Sequence, residues 1–189
     1  MTILKTFRPF VFGFTAVMAL SNSAIAQEGA TPAVGANYIV SEHADWTLAC
    51  EKAAEGPDTC RVVQEIANSS GGMLARVSIR NFTDPSRGIA AAATVLVPLG
   101  IDLNEGLQMQ IDQNPPRRYR LAYCDRSGCI AQLGFTLQEL GWLKSGQKAM
   151  LYVRPHGTDS LVPIAVSLSG ITAGYDALVA QDLANLSSQ

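Results

Sequence analysis

The chain has 189 residues, with 14 Lys and Arg against 16 Asp and Glu, so its net charge is −2. This balance argues against nucleic acid as a ligand, because phosphate binding requires a basic surface. The length suits one domain with room for a sizeable core, and the sequence contains no internal repeat or low-complexity tract.

The first 26 residues have the parts of a secretory signal peptide. Lys5 and Arg8 form a positive region, and an apolar run follows at residues 10–20. That run is about 11 residues long, which is short of the roughly 20 needed to cross a bilayer. The pattern therefore predicts a cleaved signal rather than an uncleaved membrane anchor.

The predicted cleavage site is the small-x-small sequence Ala24-Ile25-Ala26, with Gln27 as the first mature residue. Cleavage leaves 189 − 26 = 163 residues, and the loss of two basic residues (14 − 2 = 12) makes the mature net charge 12 − 16 = −4. We expect a protein of the periplasm or outer surface, or a secreted one, with no transmembrane anchor after cleavage.

Residues 27–37 are predicted to form a flexible N-terminus, because they are rich in Gly, Ala, Thr and Pro without apolar periodicity. The folded domain is predicted to span residues 38–189. Its first two strands are 46–50 and 60–67, separated by the turn-forming sequence Gly56-Pro57-Asp58.

All four cysteines lie in the predicted mature chain, at Cys50, Cys60, Cys124 and Cys129. An even number of cysteines in an exported protein indicates disulfides. Three connectivities are open, of which we favour the two local pairs, Cys50–Cys60 and Cys124–Cys129. There is no Cys-x-x-Cys redox pair and no spacing typical of a zinc site.

Five further strands are predicted from alternation of apolar and polar residues, or from a short apolar run between turn residues, at 75–80, 90–97, 107–112, 148–154 and 161–167. The run at 90–97 suits a buried helix as well, but its β-branched residues and its Pro-Gly exit favour a central strand. Pro163 places the last strand at a sheet edge or a bulge.

Residues 118–133 predict a strand, a tight turn at Asp125–Gly128 and a second strand, with Cys124 facing Cys129. In the first of these strands Tyr119, Leu121 and Tyr123 alternate with Arg118, Arg120 and Ala122. Four arginines lie close together here, and the alternation favours a solvated sheet edge over a phosphate site: Arg117, Arg118, Arg120 and Arg126.

Two helices are predicted. Thr136 and Glu139 form a capping box that begins a short helix at 137–144, which ends at Gly146. A C-terminal helix from Ile171 has an apolar stripe consisting of Ile171, Tyr175, Leu178, Val179, Leu183 and Leu186. We expect this stripe to pack on its own sheet, because the opposite face lacks the Lys and Arg of a membrane-interface helix.

About nine short strands with only two helical segments predict an all-β fold, a mostly antiparallel sandwich. No reactive motif accompanies it. His43 and His156 are the two histidines, and the sequence has no Gly-x-Ser-x-Gly elbow, no His-Glu-x-x-His helix and no Gly-rich phosphate loop. A hydrolase with an active site built from loop 156–160 is the alternative to a non-enzymatic protein. No catalytic residue, cofactor or metal ligand is assigned.

An ordered set of motifs runs through the mature chain, namely Trp46-x3-Cys50, Cys60, Val97-Pro98-Leu99-Gly100, Gly106, Cys124-x4-Cys129 and Pro163-x3-Ser167-Leu168-Ser169-Gly170 before a closing helix. From about Trp46 to Leu186 the chain resembles the invasion-associated locus B family of exported bacterial proteins. The resemblance implies an immunoglobulin-like β-sandwich, export, no catalytic residues and, in some pathogenic members, a contribution to entry into host cells. It therefore predicts a disulfide-stapled, non-enzymatic binding or envelope-associated protein. We expect its partner to be an envelope or host-cell protein that the sequence does not name.

We predict that the exported protein begins at or near Gln27. N-terminal sequencing of protein recovered from the periplasm or medium measures this directly. Protein in that fraction that retains Met1 would contradict both the cleavage site and the export argument.

Overall fold

The computed structural model describes residues 32–187. The predicted signal peptide and its cleavage site between Ala26 and Gln27 lie outside the described residues. The described chain forms two antiparallel sheets and two α-helices, with a short 3-10 turn at Pro85–Arg87.

The strands are β1 (Asn37–His43), β2 (Trp46–Glu51), β3 (Thr59–Ala67), β4 (Met73–Arg80), β5 (Ala91–Val97), β6 (Leu107–Ile111), β7 (Arg117–Tyr119), β8 (Leu121–Asp125), β9 (Gly128–Phe135), β10 (Lys148–Val153) and β11 (Val162–Ser167). The helices are α1 (Leu137–Ser145) and α2 (Ile171–Ser187).

The larger sheet has seven strands in the order β1-β2-β3-β4-β5-β9-β8, and the smaller sheet has four in the order β11-β10-β6-β7. Every pairing of neighbouring strands is antiparallel. The predicted fold class, an antiparallel β-sandwich with two disulfides and a C-terminal helix, is confirmed. Pro163 lies in β11, an edge strand of the smaller sheet, where its missing N–H interrupts no ladder.

Two strand predictions are wrong. The structure has a strand β1 at Asn37–His43, ahead of the strand at 46–50 that was predicted to be the first, and Gly35 N–H already donates to the Lys52 carbonyl oxygen at 2.8 Å. Residues 118–124 were predicted as one strand, but the chain leaves the smaller sheet after Tyr119 and enters the larger sheet at Leu121. The turn that follows is also shorter than the predicted Asp125–Gly128, because only Arg126 and Ser127 separate β8 from β9.

Both disulfides join directly opposed residues of neighbouring antiparallel strands. Cys50 on β2 is bonded to Cys60 on β3, and Cys124 on β8 to Cys129 on β9. Gly128, next to Cys129, has a φ of 144°, and an added Cβ would lie 2.3 Å from the Val97 carbonyl oxygen. The hairpin therefore requires glycine at this position.

The core lies between the sheets. It is formed by the inward residues of both, among them Val62, Val77, Val95, Leu151 and Val166, which are all almost fully buried. Helix α1 begins as predicted, since Glu139 N–H donates to Thr136 Oγ1 at 3.2 Å and Thr136 N–H donates to Glu139 Oε2 at 2.8 Å.

Helix α2 packs against β1, β2 and β3 through the first half of its predicted stripe. Ile171, Tyr175 and Leu178 are buried, as predicted. Leu183 and Leu186 were predicted to pack as well, but each is 62% exposed. The last turns of the helix are held by a polar contact instead, in which Asn185 Nδ2 donates to the Asp58 carbonyl oxygen at 3.1 Å.

The entry to α2 depends on Gly170. Its φ is 87°, and an added Cβ would lie 1.9 Å from the His43 carbonyl oxygen. Only glycine therefore lets the chain pass β1 this closely before the helix begins. Within residues 32–187, neither helix is long and apolar enough to cross a membrane.

Replacing Leu178 by Ala should lower the free energy of unfolding by about 2–5 kcal/mol, because a fully buried leucine is lost and a cavity remains. Leu183→Ala on the same helix is the matched control, and it should change stability by less than about 0.5 kcal/mol because Leu183 is exposed. Urea melts of both variants test the pair. Equal losses of stability in the two variants would show that helix α2 packs on the sheet through a different face.

Candidate binding surface

The larger sheet has one covered face and one open face. On β3 the side chains of Cys60, Val62 and Gln64 are buried, whereas those of Arg61 and Val63 between them are partly exposed. The same alternation holds on β2, β4 and β5. The buried set faces the smaller sheet and the helices, and the alternate set forms an outer face open to solvent.

The strand register aligns five uncharged side chains across this outer face. Thr47 lies opposite Val63, Val63 opposite Ser78, Ser78 opposite Thr94, and Thr94 opposite Gln132. We call these five residues the uncharged row. Because neighbouring strands lie about 4.8 Å apart, the row crosses five strands over roughly 19 Å.

Longer side chains flank the uncharged row on both sides. One neighbouring row begins with Glu65 and Arg76, whose carboxylate and guanidinium lie 2.6 Å apart, and the other contains Arg61. The short side chains between them leave a shallow trough. Two concavities of about 570 and 340 Å³ lie along it, the first at Thr47, Val63 and Ser78 and the second at Thr94 and Gln132.

The side chains of the trough can make van der Waals contacts and hydrogen bonds. Thr47, Ser78, Thr94 and Gln132 each offer a side-chain donor and acceptor. Arg76 and Arg61 on the rim are paired with Glu65 and Glu51, whereas Arg80, which lies opposite Ala92 and lines the second concavity, makes no ion pair within residues 32–187. No cluster of metal-ligating side chains occurs within residues 32–187. The arrangement favours recognition of an uncharged surface over a phosphate or a metal ion.

The loop considered for a hydrolase does not assemble a triad. His156, Asp159 and Ser160 are all exposed, and the imidazole of His156 makes no side-chain hydrogen bond within the described part of the chain. The loop is held by its backbone, since His156 N–H donates to the Gly100 carbonyl oxygen at 2.8 Å.

One serine–histidine contact was missed from the sequence. Ser41 Oγ lies 2.8 Å from His43 Nε2 on β1. Their spacing of two residues on one strand puts them on the same face, and this is the signal that would have found them. Within residues 32–187 no carboxylate is hydrogen-bonded to the His43 ring, so the group that orients a catalytic histidine is missing.

The four clustered arginines lie at exposed sheet edges, as the alternation indicated, and they divide into two kinds. Arg117 donates to both carboxylate oxygens of Glu139, at 2.5 and 2.6 Å, and Arg118 lies 3.1 Å from Glu105. Arg120 and Arg126, at the two ends of β8, make no ion pair with any residue in the described range 32–187.

The Arg117–Glu139 pair joins the smaller sheet to helix α1. Burial raises the pKa of Glu139, but hydrogen bonds from Arg117 and from Thr136 outweigh it and hold the pKa below its usual 4.5. Glu139 therefore remains ionised and keeps both its arginine partner and its capping role at neutral pH.

The structure defines a class, a disulfide-linked β protein of two antiparallel sheets with one open sheet face. The family model for Invasion associated locus B (IalB) protein matches residues 46–179, more than half of the chain. The chain belongs to this family.

Among its relatives is an Invasion protein B homolog of Brucella abortus (strain 2308), 26% identical over 182 residues, which span 94% of this chain and 98% of the relative. A homolog from Brucella abortus biovar 1 (strain 9-941) matches with the same identity and coverage. The crystal structure of invasion associated protein B from Bartonella henselae has a TM-score of 0.64 at 17% identity, over 77% of this chain and 98% of that one. This likeness shows the same fold.

Replacing Glu139 by Gln should lower the free energy of unfolding by about 1–3 kcal/mol at neutral pH, because the buried charge-assisted hydrogen bonds are lost. A carboxyl whose pKa is lower in the folded state stabilises the protein above its unfolded-state pKa, and that contribution is lost as the pH falls through the folded-state pKa. The difference should therefore shrink as the pH drops below 4.5.

Urea melts of both proteins at neutral pH and well below 4.5 measure this convergence. Glu65→Gln is the control, because the Glu65 carboxylate is 64% exposed. Its effect should stay within about 0.5 kcal/mol at either pH. A constant difference between wild type and Glu139→Gln across the acid range would contradict the assignment.

Proposed function

We propose that this chain is an exported, non-enzymatic binding module of the bacterial envelope, and that it recognises a partner protein through the trough on the outer face of its larger sheet. The uncharged row carries the proposal. Five aligned side chains from five strands present a continuous surface with unused hydrogen-bonding groups, and nothing within residues 32–187 covers it.

A protein with a narrow, uncharged ridge fits this surface better than other ligands do. Nucleic acid would meet a chain with an excess of acidic residues, 16 against 14 basic. A free anion would find Arg61 and Arg76 already paired with Glu51 and Glu65, which leaves Arg80 as a single unpaired arginine at the trough within residues 32–187. A protein ridge lined by small polar or apolar side chains would bury the row and satisfy its hydroxyl and amide groups.

The relatives suggest where such a partner is found. The matched proteins of Brucella abortus and Bartonella henselae carry names that associate them with invasion. Together with the signal-like sequence of residues 1–26, these names support a place in the envelope and a contribution to contact with a host cell. The partner is then a protein of the host-cell surface or of the bacterium's own envelope.

The test is a pull-down with purified mature protein from two separate extracts, bacterial envelope and host-cell membrane. Ser78→Arg and Thr94→Arg each place a long charged side chain in the trough and should abolish capture of the specific partner, because the ridge no longer fits. Ala165→Arg is the matched control. It adds the same charge to an exposed position on β11 of the smaller sheet, outside the uncharged row, and should capture as wild type does.

Thermal melts of all variants establish that each one is folded. Partner capture that survives both trough substitutions would contradict the proposed surface. Loss of capture by Ala165→Arg to the same extent would assign binding to the smaller sheet instead. The extract that yields the partner distinguishes an envelope role from a role at the host cell.

A further inference from the structure

Strand β8 forms one edge of the larger sheet and is paired on one side only. Within residues 32–187 its single neighbour is β9, and no backbone hydrogen bond outside the ladders involves Leu121–Asp125. The backbone groups on its other side are therefore open along residues 121–125. Such an edge is a template for an added strand.

The geometry of the second disulfide shows which groups point outward. The Cα atoms of Cys124 and Cys129 are 4.0 Å apart. This is closer to the spacing of a non-hydrogen-bonded antiparallel pair, about 4.5 Å, than to the about 5.5 Å of a hydrogen-bonded pair. In a non-hydrogen-bonded pair the N–H and C=O of each residue point away from the partner strand. Cys124 thus presents both groups at the free edge.

The side chains at this edge are basic at its ends and apolar in its middle. Arg120 precedes β8 and Arg126 follows it, and both lack an ion pair within the described range 32–187. Between them Tyr123 is 53% exposed, and it lies opposite Ile130 on the outer face. Asp125 is the one acidic group of the edge, and its carboxylate accepts the Ser127 N–H at 2.7 Å.

We propose that the β8 edge binds an extended, acidic segment of a partner protein by strand addition. The segment hydrogen-bonds to the outward N–H and C=O of Cys124, places an apolar side chain beside Tyr123 and pairs acidic side chains near its ends with Arg120 and Arg126. This surface is distinct from the trough, and the inference stands without it.

The bulge in β8 sets the length of the contact. The register with β9 shifts between Leu121 and Tyr123, so regular pairing is limited to Tyr123–Asp125. An added strand therefore gains few backbone hydrogen bonds, and the two arginines supply the rest of the affinity. The affinity for the added strand should therefore depend strongly on the charge of the peptide and on the salt concentration.

The experiment is an NMR titration of isotope-labelled mature protein with a seven-residue β-forming peptide that has Asp at both ends and Val in the centre, matching positions 120–126. Shifts should concentrate at residues 121–126, and the Cys124 amide should gain protection from hydrogen exchange. Arg120→Gln combined with Arg126→Gln should weaken binding about fivefold or more.

Two controls separate strand addition from simple charge attraction. Arg80→Gln combined with Arg87→Gln removes the same charge far from β8 and should bind as wild type does. A peptide N-methylated on one set of alternate residues should lose binding, and one methylated on the other set should keep it, because only one set donates to the edge. Equal tolerance of both peptides, unchanged binding by the Arg120/Arg126 variant, or shifts centred away from β8 would each overturn the proposal.

Discussion

One backbone carbonyl ties the two sheets together. The Ser167 oxygen on β11 accepts from Trp46 Nε1 at 2.9 Å and from Gln64 Nε2 at 3.0 Å, and Ser167 N–H donates to Gln64 Oε1 at 3.0 Å. Trp46 is 1% and Gln64 6% exposed, so their side-chain polar groups would be left unpaired and buried if the contact were lost. Because β2 and β3 are joined to β11 in this way, the inner face of the larger sheet is buried in the core. Its outer face is the one left for recognition.

The two disulfides act on different parts of this arrangement. Cys50–Cys60 ties β2 to β3 four residues along β3 from Gln64, within the strands on which α2 packs. Cys124–Cys129 holds β8, which in the described part of the chain has β9 as its one neighbour. Each bond closes a short loop, and in the chain-entropy model it stabilises the fold by restricting the unfolded chain. At β8 it has a second consequence, because an edge that is already ordered loses less entropy when a partner binds.

Sequence patterns predicted those elements whose burial is one-sided. Ala75, Val77 and Ile79 alternate with polar residues because β4 has a covered and an open face, and this strand appears as expected. Strand β1 escaped prediction because Ile39 and Val40 are both partly exposed, which erases the alternation. The change of sheet at Arg120, between β7 and β8, was not predicted for another reason. Period-2 alternation continues from β7 into β8, and it carries no information about which sheet each residue joins. Helix α2 shows the same limit, since Leu183 and Leu186 continue the apolar stripe past the point where it has sheet to cover.

The candidate surfaces depend on register, which local pattern does not determine. Thr47, Val63, Ser78, Thr94 and Gln132 come from five strands, and they align only through four separate pairings. Register also connects the trough with the β8 edge. The row beside the uncharged one runs from Arg76 through Leu96 and Ile130 to Tyr123. A strand added at β8 would continue that row, since it would lie next to Tyr123 in the same sheet. Strand addition would therefore widen the outer face by one strand, and a partner that contributes the strand could also contact the trough.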